Sequence, residues 1–124
     1  MKRVLIVDDS PTIVEAAYDE LEDKGYAVEV AYNGKKALEH LEECGEDLPD
    51  LVVMDIEMPK LRGDEATKII KSTPAWKHLP VVALTGRKQD IVGDAVALFE
   101  NYLIKPFGFE KLVEVIEELI GPPD

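Results

Sequence analysis

Five short apolar runs recur along the chain: Val4–Val7, Ala27–Ala31, Leu51–Met54, Val81–Leu84 and Tyr102–Ile104. The first, third and fourth are unbroken by polar residues, the pattern of strands covered on both faces. The second is interrupted by Glu29, so it is predicted to be a half-exposed edge strand. Each gap between runs is long enough for the crossover helix that parallel strands require.

The gaps carry helical signals. Ser10 can cap a helix that starts at Pro11, places Ile13, Val14, Ala17 and Leu21 on one face and stops at Gly25. Asn33-Gly34 opens a second helix with Ala37, Leu38 and Leu41 inward. A third is predicted from Asp64 to about Lys71, with Ala66, Ile69 and Ile70 inward, and must stop before Pro74. A fourth runs from about Gln89 to Phe99 with Gly93 inside it. The fifth directs Leu112, Val113, Val115, Ile116, Leu119 and Ile120 inward and Glu110, Lys111, Glu114, Glu117 and Glu118 to water, and ends at Gly121-Pro122-Pro123.

Unbroken alternation of five strands and five helices predicts an α/β fold: a single doubly wound (βα)5 domain whose five-stranded parallel sheet has helices on both faces. In such sheets ligands bind beyond the carboxyl ends of the strands, where the strand order reverses. That rule brings Asp8, Asp9, Asp55, Thr85 and Lys105 to one edge.

The length of 124 residues suits one domain with its own core, and 46% apolar with 32% charged residues suits a folded chain. No apolar run approaches the roughly 20 residues of a membrane span. The start, Met1-Lys2-Arg3 and four apolar residues before two aspartates, is too short in its apolar part for a secretion signal, so a cytoplasmic location is expected. A net charge of -12 repels phosphate backbones and anionic lipid, which argues against direct nucleic-acid or membrane binding. Cys44 has no second thiol for a disulfide or a zinc site and is expected to be an ordinary helix residue, and His40 and His78, far apart without a carboxylate cluster, are expected in surface or loop roles. Trp76 is expected to pack its loop against the domain.

Carboxylates converging at one edge repel; at an effective dielectric near 20, a pair about 4 Å apart costs roughly 4 kcal/mol. A cation must offset this. Oxygen donors without histidine or cysteine favour Mg2+. A metal, an aspartate, the Thr85 hydroxyl and the Lys105 charge are the parts of a phosphoryl-transfer site.

The segments Val-Leu-Ile-Val-Asp8-Asp9-Ser10, Leu-Val-Val-Met-Asp55-Ile-Glu-Met-Pro59 with Gly63, Ala-Leu-Thr85-Gly and Tyr102-Leu-Ile-Lys105-Pro106-Phe107, in that order, resemble the response-regulator receiver domain of two-component signalling, a CheY-like fold. The resemblance spans Arg3 to Gly121 and implies a flavodoxin-like sheet of order 2-1-3-4-5. It implies that Asp55 accepts a phosphoryl group from a histidine kinase or histidine phosphotransfer protein. It further implies that Asp9 and Asp55 bind Mg2+ with the Glu57 carbonyl, that Asp8 acts through water and that Lys105 contacts the phosphoryl oxygens. Thr85 and Tyr102 would be the switch residues, the bond from Lys105 to Pro106 would be cis, and the surface around the fourth helix, fifth strand and fifth helix would select a downstream protein target.

Glu57 and Arg87 follow Asp55 and Thr85 by two positions, at the pocket mouth of receiver domains, and are expected to pair across it and restrict hydrolytic water. The sequence departs from the family between Thr85 and Lys105: Phe99-Glu100-Asn101 replaces a Gly-Ala-Asp-Asp-like loop, so the fourth helix is expected to be short or irregular.

Two other functions compete. A Mg-dependent phosphatase or phosphotransferase with an aspartate nucleophile would carry Asp-x-Asp on its first strand and a cap domain, whereas this chain has Asp-Asp-Ser and little room for one. A constitutive receiver-like interaction module would be expected to lack acidic or lysine site residues that are all present here. Residues 1–124 are read as one receiver domain with no output domain, and a stand-alone signalling protein that catalyses only its own phosphorylation and dephosphorylation is the expectation.

Overall fold

Five strands, β1 (Arg3–Val7), β2 (Ala27–Ala31), β3 (Leu51–Asp55), β4 (Val81–Thr85) and β5 (Asn101–Ile104), pair in parallel in the order β2-β1-β3-β4-β5. This is a computed structural model, and it describes residues 1–87 and 93–124. The α-helices are α1 (Pro11–Lys24), α2 (Gly34–Cys44), α3 (Gly63–Ser72) and α4 (Phe109–Ile120). The sheet order and the doubly wound architecture are those expected.

Alternation along the central strands divides the core in two. Leu5, Val7, Val52, Met54, Val81 and Ala83 face α2 and α3, where they meet Ala37, Leu41, Ala66 and Ile70. Val4, Ile6, Leu51, Val53, Val82 and Leu84 face α1 and α4, where they meet Val14, Leu21, Leu112 and Ile116. With both faces covered, the strands can be apolar throughout, and every residue of β3 and β4 is buried. The edge strand β2 is half-buried up to Ala31, as Glu29 predicts. Trp76 packs into the α2/α3 side of the core.

Local chemistry starts and stops the helices where the sequence indicates. The Ser10 hydroxyl accepts the Ile13 N–H at 3.4 Å, Pro11 opens α1, and Gly25 ends it at φ 105, a left-handed conformation open to glycine without strain. Asn33 caps α2 by accepting the Lys36 N–H at 2.8 Å.

Two helix expectations are corrected. In α3 the inward stripe is Gly63, Ala66, Thr67 and Ile70, and Ile69 is 43% exposed. Thr67 can occupy that stripe because its hydroxyl donates to the Gly63 carbonyl at 2.8 Å, and the helical repeat then turns Ile69 away. In place of a helix from Gln89 to Phe99, the described residues form a 3₁₀ turn over Gly93–Leu98, anchored by buried Ala95 and Phe99. The proposed start near Gln89 lies outside the described residues.

Candidate functional site

The register of the sheet assembles the site. Val7 pairs with Met54 and Asp55 with Leu84, so β1 and β3, the strands between which the order reverses, end side by side. Asp8 therefore leaves β1 next to Asp55 at the end of β3. Thr85, the last residue of β4, pairs with Ile104, and its carbonyl accepts the Lys105 N–H at 2.7 Å. The Lys105–Pro106 bond is cis.

Asp8, Asp9 and Asp55 each present a carboxylate oxygen within 4.8 Å of the others. Asp8 and Asp55 are buried, Asp55 at 2% exposure, while Asp9 is open to solvent. The Lys105 ammonium donates to Asp55 Oδ1 at 3.0 Å and reaches Asp8 Oδ2 at 3.5 Å. The other Asp8 oxygen accepts the Ser10 N–H at 2.9 Å, which fixes the turn into α1.

Burial, followed by repulsion from Asp8, pushes the Asp55 carboxyl up to about 7 despite the opposing hydrogen bond from Lys105. Lys105 is pulled down by its own burial, but the hydrogen bond and charge of Asp55 and the charge of Asp8 outweigh this and raise it above the ordinary lysine value. Three carboxylates against one ammonium leave an excess of two negative charges when all are ionised. Clustered oxygen donors with that excess suit a hard divalent cation, so the residues fit Mg2+.

The remaining predicted site residues lie on β4, on β5 and in the segments that follow β3 and β4. Thr85 is buried, its hydroxyl donates to the Arg87 carbonyl at 2.7 Å and it accepts the Arg87 N–H at 3.3 Å. Tyr102 is half-buried on β5 and packs against the α2/α3 side of the core. Glu57 and Arg87 are both exposed.

Three features escaped the sequence reading. Arg62 precedes α3, donates from Nε to buried Asp64 at 3.2 Å and lies within the electrostatic reach of Glu57, a cation near Glu57 that the motif order did not indicate. Gly63 lies against the Asp55 backbone, so closely that a Cβ would sit 2.0 Å from the Asp55 carbonyl oxygen. His40 is not a plain surface histidine: its Nε2 lies 2.5 Å from Glu29 Oε1, and Cys44 is their neighbour. The four-residue spacing of His40 and Cys44 was visible in the sequence, but the approach of Glu29 from another element was not.

Residues 4–117 match the response regulator receiver domain. The chain belongs to that family. The receiver is 37% identical over 122 residues to response regulator MprA of Mycolicibacterium vanbaalenii, covering 95% of this chain and 50% of that protein. It thus spans about half the length of the MprA relatives it matches. Among solved structures it resembles the response regulator TrrA of Thermotoga maritima, in complex with Mg2+-BeF, with 34% identity, a TM-score of 0.83 and coverage of 96% of this chain and 99% of that one. It also resembles chemotaxis response regulator CheY4 of Vibrio cholerae, with 30% identity, a TM-score of 0.83 and coverage of 96% and 98%. The receiver is a signalling domain, and its acidic edge has the composition expected for the phosphoacceptor chemistry of two-component regulators.

Proposed function

We propose that this receiver is a phosphoacceptor switch in which Asp55 takes a phosphoryl group from the phosphohistidine of a kinase or phosphotransfer protein. The observation that carries the reading is the buried Asp55 carboxylate beside Asp8, with the Lys105 ammonium bridging the two, at the reversal of strand order. An Asp55 oxygen forms the new O–P bond as the donor's N–P bond breaks, and the electron pair of that bond stays on the imidazole, which then takes a proton from solvent. Lys105, already hydrogen-bonded to Asp55, turns its donors to the transferred oxygens and offsets their charge. Asp9, Asp55 and the Glu57 carbonyl would hold Mg2+ directly, with Asp8 contributing through water, and the ion would supply the remaining positive charge. Asp55 must be ionised to act, and a neighbouring cation favours that form against the burial that opposes it.

Thr85 is the group that senses the product. Its hydroxyl gives up the Arg87 carbonyl and donates to a phosphoryl oxygen, which releases the backbone at Arg87 and opens space for Tyr102. Moving such a switch from mostly off to mostly on takes about 5.5 kcal/mol of differential interaction, within reach of several charge-assisted hydrogen bonds. Glu57 and Arg87 flank the route of hydrolytic water, with Arg62 as a further cation near Glu57. The surface around β5 and α4 then presents a changed face to a downstream protein.

Incubation with Mg2+ and acetyl phosphate, followed by intact-mass measurement, tests the reading. One phosphoryl group is expected on the wild-type chain and none on Asp55→Ala. No gain, or a gain that survives the substitution, overturns it.

A further inference from the structure

We propose that Glu29, His40 and Cys44 form a second metal site, suited to a borderline-soft divalent ion, with Zn2+ as its natural occupant. Each residue offers one donor atom, and the three donors lie within 4.8 Å of one another. A tetrahedral zinc with bonds of about 2.0 to 2.3 Å sets its donors roughly 3.3 to 3.8 Å apart, so modest side-chain rotation closes the set.

The donors come from two rigid elements. His40 and Cys44 are four residues apart on α2 and share one helix face, and Glu29 meets them from β2. Imidazole, thiolate and a single carboxylate make a set that zinc prefers and Mg2+ does not, the reverse of the all-oxygen acidic pocket. The two sites sort ions by hardness.

Arg3 completes the case by what it does to Glu29. Its Nε donates to Glu29 Oε2 at 2.6 Å, leaving Oε1 turned toward His40 at 2.5 Å. Arg3 is itself held by Asp47, with Nη1 at 2.8 Å from the carboxylate and Nη2 at 2.9 Å from the carbonyl. A ligating carboxylate fixed by an outer hydrogen bond is the usual support of a metal site. The positive charge of Arg3 opposes a cation, but Arg3 is already paired with Asp47, and the Glu29 carboxylate and the Cys44 thiolate bring two negative charges to the ion.

An open groove of about 380 Å³, lined by Lys36, Glu39, His40 and Glu43 among others, adjoins the cluster at His40. Binding forms metal bonds to nitrogen, sulfur and oxygen, and the Cys44 thiol releases its proton to solvent. The occupied site ties α2 to the edge strand β2.

The test uses the full chain with excess Mg2+ to occupy the acidic pocket and Co2+ as a spectroscopic probe. One Co2+ per chain is expected, with a thiolate-to-metal charge-transfer band in the near ultraviolet that one equivalent of Zn2+ removes. Cys44→Ser should abolish the band, and His40→Gln and Glu29→Gln should each weaken binding by about tenfold or more. Zinc should raise the thermal midpoint of the wild type and leave that of Cys44→Ser unmoved. Circular dichroism checks that each variant is folded. A missing band, affinity unchanged in His40→Gln and Glu29→Gln, or zinc binding that is lost in Asp55→Asn and retained in Cys44→Ser each overturns the proposal.

Discussion

Gly63 and Asp55 are in backbone contact: a Cβ on Gly63 would lie 2.0 Å from the Asp55 carbonyl oxygen and 2.8 Å from its carbon. The Gly63 N–H also donates to the Ile56 carbonyl at 2.9 Å, so the start of α3 is pinned to the strand end that carries the phosphoacceptor candidate. The missing side chain is therefore part of how Asp55 is aimed.

Gly63→Ala should force β3 and α3 apart. Overpacking against backbone is expected to cost about 2 kcal/mol or more, read as a lower urea midpoint. Because the Asp55 backbone must shift, phosphorylation by acetyl phosphate should slow as well, and a variant with wild-type stability would show that the contact relaxes freely.

Metal-free protein should be less stable at pH 8 than the fold alone would make it, because Asp55 has a folded pKa of about 7, above its unfolded value. Between those two values the folded state holds the extra proton, so stability falls as pH rises through the window and the loss is complete above pH 7. At about 1.4 kcal/mol per unit, discounted for solvent at the pocket mouth, the loss is on the order of 3 kcal/mol. Asp55→Asn in chelator should raise the thermal midpoint strongly at pH 8 and little at pH 4, and Mg2+ should close the gap by stabilising only the wild type.

Glu100 closes the end of the sheet opposite the site. Its Oε1 accepts the Val81 N–H at 2.7 Å and the Lys71 ammonium at 3.0 Å, and Lys71 also donates to the Leu79 carbonyl at 2.6 Å. Glu100→Ala leaves the Val81 N–H without that acceptor and should cost about 1 to 2 kcal/mol. Glu100→Gln keeps an acceptor and should cost less, and equal urea midpoints for the two variants would remove this account.

Thr85→Ala should uncouple phosphorylation from its consequence. The hydroxyl is absent from the acidic cluster but bonded to the Arg87 carbonyl, so mass gain on Asp55 should persist. The change in Tyr102 environment on phosphorylation, read by tyrosine proton shifts, should shrink, and Thr85→Ser should restore it. A full response in Thr85→Ala assigns the switch elsewhere.

The strands, the parallel architecture and the acidic edge were legible because a strand buried on both faces must be apolar, and its charges can appear only where it ends. Val4–Val7 before Asp8, and Leu51–Met54 before Asp55, state that in the chain itself. The inward face of α3 is not legible in the same way, because Ile69 is apolar and Thr67 is not; only the Thr67 bond to Gly63, made once the helix exists, reverses the preference. The segment before β5 was marked as unusual by Phe99-Glu100-Asn101, and the 3₁₀ turn over Gly93–Leu98 agrees in kind while differing in form from the predicted helix.

The sequence by itself determined which residues could carry charge to a sheet edge, because burial dictates composition one residue at a time. Only the tertiary structure decided which charges meet. The Lys105 ammonium at 3.0 Å from Asp55, the approach of Glu29 to His40 and Cys44, and the contact of Gly63 with the Asp55 backbone all join residues from different elements. Their distances follow from strand register and helix packing, properties of the assembled sheet that no local window of sequence contains.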